Sequence, residues 1–145
     1  MTHRAAEQQS GEAAEACRGA PVARRSRLDP ALIARVEAFS HRVADVAAAL
    51  DHDRRPRRII DQVLASGTSV AANVFEADEA LSRADFCKTL GIAVKELSET
   101  RYWIRFTGAR GWIVPERLVG LEDESTRLGR ILGAMSARVR RKDRT

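Results

Sequence analysis

The chain is short of the residues that would mark it as secreted, membrane-spanning or β-rich. Its two cysteines, Cys17 and Cys87, are too few and too far apart for a disulfide framework, so a reducing cytoplasm is the expected location. Residues 1–20 are polar and hold no apolar stretch of the kind a secretory signal needs. No apolar run nears the roughly 18 residues of a membrane span, so no membrane partner is expected. Seven aromatic residues and four prolines, against abundant Ala, Leu, Val and Arg, favour helices over strands. At 145 residues the chain is one domain by length, large enough for a true core.

Lysine is scarce as well. Lys88, Lys95 and Lys142 are the only three among 25 basic residues. The arginine fork suits phosphate contact, but this bias beside so much alanine is also what a GC-rich genome produces, and that plainer explanation is preferred. The formal net charge is +5, yet residues 138–145 hold five basic side chains and one acid. The rest of the chain is therefore close to neutral and carries a weak field.

What is present is helical periodicity. Residues 1–28 show no sustained apolar period and read as a flexible arm. Asp29 and Pro30 then start a helix, an acceptor at the N-cap followed by proline at N1. Leu32, Val36, Phe39, Val43, Val46 and Leu50 follow at alternating spacings of four and three, the seam of a bundle. A polar turn at residues 51–56 leads to a second helix with Ile60, Val63, Leu64, Gly67, Val70, Ala71, Val74 and Ala77 on one face. Glycine inside a helix costs about 1 kcal/mol relative to alanine, so Gly67 marks a close approach of another backbone.

Ser82 and Asp85 resemble a capping box for the third helix, with Leu81 and Phe86 placed to form a hydrophobic staple. Phe86, Leu90, Ala93, Val94, Leu97 and Ile104 form its buried stripe, and Gly108 and Gly111 end it. Pro115 opens the fourth helix, seamed by Leu118, Leu121, Ser125, Leu128, Leu132, Met135 and Val139. The expected fold is all-α, an antiparallel up-down-up-down four-helix bundle over residues 29–139. Residues 140–145 are expected to form a basic tail.

Three strings in the middle of the chain are specific. Residues 66–77 read SGTSVAANVFEA, residues 82–86 SRADF, and residues 92–103 IAVKELSETRYW. Their order and spacing resemble the SGTS-x-x-AN-x-x-EA, S-x-x-DF and IA-x-KE-x-x-ET-x-YW elements of the bacterial four-helix bundle family also called 23S ribosomal RNA intervening-sequence proteins. A related branch serves as the accessory protein of diversity-generating retroelements. The resemblance implies a homopentameric ring of bundles, a basic surface for RNA or DNA, a reverse transcriptase as a possible partner, and no catalysis or cofactor. The chain departs from the usual member in its long N-terminal arm and in Phe75, where a smaller residue is more common.

No constellation in the residues supports an enzyme. The Ser66–Ser69 string lacks the lysine of a phosphate loop, and its hydroxyls are expected to bond back to the helix. Asn73 is expected to satisfy an internal bond. Glu76, Glu79, Glu96 and Glu99 suggest a di-metal carboxylate site, but none of His3, His41 or His52 supplies the Glu-x-x-His that such a site needs. Ion pairs such as Lys95 with Glu99 and Arg101 with Glu76 are the preferred reading. Asp51, His52 and Asp53 are read as a solvated turn.

Successive helical residues turn by about 100°, so Tyr102, Trp103 and Phe106 cannot all face one core, and Trp112 follows closely. This surplus calls for a second contact surface. Subunit packing through Tyr102, Trp103, Phe106 and Trp112 is preferred. The alternative is base stacking flanked by Arg101, Arg105 and Arg110. Arg54, Arg55, Arg57 and Arg58, with Arg138, Arg140, Arg141 and Lys142, are the other candidates for phosphate contact. The function expected is a non-enzymatic, oligomeric nucleic-acid-binding module that prefers RNA. The alternative is a protein-interaction scaffold docking a partner such as a reverse transcriptase.

Overall fold

The computed structural model describes residues 27–144, so the arm expected over residues 1–28, and Cys17 within it, lie outside the described residues except for Arg27 and Leu28. Among the described residues there are four α-helices and no strand: α1 (Pro30–His52), α2 (Arg57–Asp78), α3 (Arg83–Ala109) and α4 (Val119–Lys142). Each helix packs along the next in sequence, as short connections require. The fold class is the one expected.

The starts are set by local chemistry. The Asp29 side chain accepts from the Ala31 N–H at 2.9 Å, with Pro30 in the first turn. Ser82 accepts from the Asp85 N–H at 3.0 Å, and the Asp85 carboxylate accepts from the Leu81 N–H at 3.1 Å. The expected staple does not form, because Leu81 is 87% exposed while Phe86 is buried. Pro115 opens a 3-10 turn, Pro115–Arg117, and α4 proper begins at Val119. α4 then continues through Lys142, so Arg140, Arg141 and Lys142 form its last turn instead of a tail. Cations there complement the helix dipole. Leu28, assigned by sequence to the arm, is buried, and its N–H donates to Asp78 at 2.8 Å.

The core is a continuous apolar cluster from all four helices, including Phe39, Val43, Leu50, Val63, Val70, Leu90, Leu97, Ile104, Leu121, Leu128 and Leu132. At its centre Gly67 accounts for itself. A Cβ there would overlap the Val43 side chain, only 2.7 Å from Val43 Cβ, and the Ser40 hydroxyl donates to the Gly67 carbonyl at 2.7 Å. The close approach expected at Gly67 is therefore made by the side chains of Val43 and Ser40, not by the backbone of α1. Between α1 and α4, Arg35 Nη2 donates to Glu124 Oε2 at 2.9 Å, and this bond holds the Glu124 carboxyl below the usual carboxylate range.

Candidate nucleic-acid interface

The antiparallel order brings the α1–α2 and α3–α4 turns to one end of the bundle. Both turns close their helices with the same pair of hydrogen bonds. In the first, Arg54 N–H donates to Asp51 O at 3.0 Å and Arg55 N–H to Leu50 O at 2.9 Å. In the second, Gly111 N–H donates to Gly108 O at 2.9 Å and Trp112 N–H to Thr107 O at 3.0 Å. This double-bonded end needs one left-handed residue. Gly111 supplies it with φ +69°, and Arg54 supplies it with φ +54°.

Trp112 ties the two turns together. The guanidinium groups of Arg55 and Arg110 lie 5.5 and 5.6 Å from the centroid of its ring, within cation–π range. From Trp112 the rings run on to Phe106, 5.8 Å away, and from Phe106 to Tyr102 at 6.2 Å. Trp103 meets Tyr102 at 4.9 Å and Phe106 at 5.9 Å, both edge to face, and its indole N–H donates to Glu99 at 3.2 Å. The four aromatics read from the sequence as a subunit-packing surface are one contact network within the chain. Trp103, Phe106 and Trp112 are half-buried in it, and Tyr102 remains 56% exposed.

The arginine candidates divide. Arg54 and Arg58 are exposed at this end and have no ion pair among the described residues; Arg57 is paired with Asp51. Arg55 and Arg110 lie on Trp112, Arg101 donates to Thr126 at 3.2 Å, and Arg105 sits 3.5 Å from Glu122. The expected pairing of Arg101 with Glu76 is not made. Neither is that of Lys95 with Glu99, which accepts from Trp103. Arg138, Arg140, Arg141 and Lys142 lie at the opposite end, where Arg83 pairs with Asp143 at 2.9 Å. The 22 residues of α2 separate the two ends by about 33 Å. The structure does not bring the two arginine groups into one patch.

Other candidates resolve as internal bonds. Thr68 donates to Leu64 O at 2.8 Å, Ser66 to Val63 O at 3.2 Å, and Asn73 to Ser69 O at 2.8 Å. Burial pushes the Glu96 carboxyl up from its ordinary range, with nearby Glu99 adding to the effect. Among the described residues no group of three or more His, Cys, Asp or Glu is placed to hold a metal ion. No described helix is long and apolar enough to cross a membrane.

One surface has no counterpart among the sequence expectations. Periodicity puts Leu64 on the buried face of α2, but it is 41% exposed, and Phe75 is 47% exposed. Together with Ala65, Thr68 and Ala72 they form an open face. A signal for it exists in the sequence: residues 62–75 contain no charged side chain, although a solvent-facing helix ordinarily alternates charge with its apolar seam.

These features define a class of protein, a helical bundle with a basic, aromatic-lined end. The chain belongs to the family of 23S rRNA-intervening sequence proteins, whose model matches residues 32–134. A crystal structure of a protein of unknown function from the S23 ribosomal protein family of Bacteroides thetaiotaomicron VPI-5482 superposes with a TM-score of 0.70. The two are 31% identical, and the match covers 72% of this chain and 97% of that one. No curated protein matches the chain.

Proposed function

We propose that the protein is a non-enzymatic, self-associating RNA-binding module whose contact surface is the end of the bundle around Trp112. The observation that carries this reading is a strip of aromatic rings with Arg55 and Arg110 lying on Trp112 at one end and Arg101 and Arg105 beside exposed Tyr102 at the other, with Arg54, Arg57 and Arg58 on the same end of the bundle as Trp112. Guanidinium groups neutralise phosphates and release counterions, and rings contribute stacking that tolerates any sequence. The family's name, which links its members to 23S rRNA intervening sequences, points the same way.

A single copy carries little net charge outside its C-terminus, so useful affinity requires repetition of the patch. The charge-free face of α2 is suited to packing against a second copy, consistent with the homopentameric ring that the resemblance implies. Light scattering checks this arm: Leu64→Glu with Phe75→Glu is expected to reduce the assembly to monomers.

Electrophoretic retention of a structured RNA hairpin tests the reading. Replacing Arg54, Arg57 and Arg58 by Gln is expected to weaken binding about tenfold and to lower the salt slope by about one for each phosphate no longer neutralised. Unchanged binding would count decisively against the assigned surface. The scaffold reading, with a partner such as a reverse transcriptase, draws on the same α2 face. It requires partner binding that survives high salt and fails in the Leu64→Glu, Phe75→Glu variant.

A further inference from the structure

Within this end of the bundle the four rings are not equivalent, and the difference narrows the class of RNA. Trp112 is occupied by the guanidinium groups of Arg55 and Arg110. Trp103 is half-buried, its N–H is committed to Glu99, and its ring lies against two neighbours. Phe106 is half-buried, with Tyr102, Trp103 and Trp112 around it. Tyr102 alone among them is majority-exposed, yet its orientation is set by the edge-to-face contact with Trp103 at 67° between planes. A ring that is both open and held in place is a stacking platform prepared in advance.

The space beside it is suited to the same use. An open cavity of about 500 Å³ lies along α3, lined by Ser98, Arg101, Tyr102, Arg105, Phe106 and Ala109. It places two cations beside the tyrosine. The Arg105 side chain is 70% exposed and pairs with Glu122 at 3.5 Å, a solvent-facing contact that is readily exchanged for a phosphate.

From this geometry we infer that the site takes single-stranded RNA, with one unpaired base stacked on Tyr102 and its flanking phosphates on Arg101 and Arg105. A base inside a duplex has both faces covered by its neighbours and offers nothing to the ring. Along its length duplex RNA can meet the arginines but not the tyrosine; only its end pairs have an open face. The inference rests on the RNA-binding reading above and refines which strand that surface selects.

Fluorescence anisotropy on the full chain tests it with two probes, a short single-stranded oligouridylate and an RNA duplex long enough that its end pairs are a small share of the sites it offers. Tyr102→Ala is expected to weaken oligouridylate binding about tenfold, leave duplex binding unchanged, and leave the salt slope unchanged because no charge is removed. Tyr102→Phe is expected to restore binding, since stacking needs the ring and not the hydroxyl. Equal weakening on both probes, no weakening on either, or failure of Tyr102→Phe to restore binding would overturn the inference while leaving the RNA-binding reading in place. If the unaltered chain retains neither probe at low salt, both fall. Circular dichroism of Tyr102→Ala is expected to match that of the unaltered chain, since the side chain lies outside the core.

Discussion

The two turns at the arginine-rich end share a hydrogen-bond pattern but differ in the residue that makes it possible. At Gly111 the left-handed backbone meets no side-chain penalty. At Arg54 the same backbone carries a β-carbon, which costs about 1–2 kcal/mol. A turn needed only to reverse the chain would be served by glycine in both places. Residues held in such conformations persist where their surroundings impose them, and they concentrate at functional sites. Here the neighbouring Arg55, resting on Trp112, anchors the strained turn to the unstrained one. On the proposed RNA-binding reading, the first turn is kept for its side chain and the second for its shape.

The largest expected effect comes from removing the link between them. Trp112→Ala is expected to destabilise the fold by about 3 kcal/mol, the lower end of the range for large aromatic truncations because the ring is only half-buried. Denaturant melts measure the change. Hydrogen exchange is expected to accelerate at residues 51–58 and not around Leu28 and Asp78 at the far end. Equal acceleration at both ends would dissolve the distinction.

A smaller effect is expected at the unstrained turn. Gly111→Ala has open space around the added carbon, so only the backbone penalty applies, and a destabilisation of about 1 kcal/mol is expected in the same melts. The smallest effect sharpens the comparison most. Arg54→Gly is expected to stabilise the fold by about 0.5 kcal/mol, the relief of strain being partly offset by the greater freedom glycine gives the unfolded chain. The same change is expected to weaken RNA retention. A variant that gains stability and loses binding separates the two uses of the turn, whereas one that loses both would mean that the arginine is structural.

Much of this architecture is legible from periodicity. The seams of Val36, Phe39, Val43 and Leu50 and of Leu121, Leu128 and Leu132 are buried because a repeat of three and four leaves one face for them. Asp29 and Ser82 can be read as caps because their side chains act within three residues. What stays hidden depends on partners distant in sequence or on a backbone state with no signature. Nothing in the residues around Arg54 marks a left-handed position. Arg55 reads as one basic residue among several until Trp112 is placed beneath it. The exposure of Tyr102, and the internal contacts of the other three rings, depend on the azimuth of α3 in the bundle. The exposure of Leu64 is obscured because a window of small and apolar residues gives two faces of α2 nearly equal claims to burial.

Gly67 has a consequence for how this chain can vary. Its α-carbon fits against Val43, and its carbonyl is held by Ser40, so a residue in one signature string is constrained by two positions on a different helix. Positions 40, 43 and 67 therefore behave as a single letter spread over two helices. A library that randomises position 67 alone will return almost only glycine. One that randomises all three together is expected to recover alanine at 67 with a smaller side chain at 43, a solution that single steps reach only by way of a clash or a void.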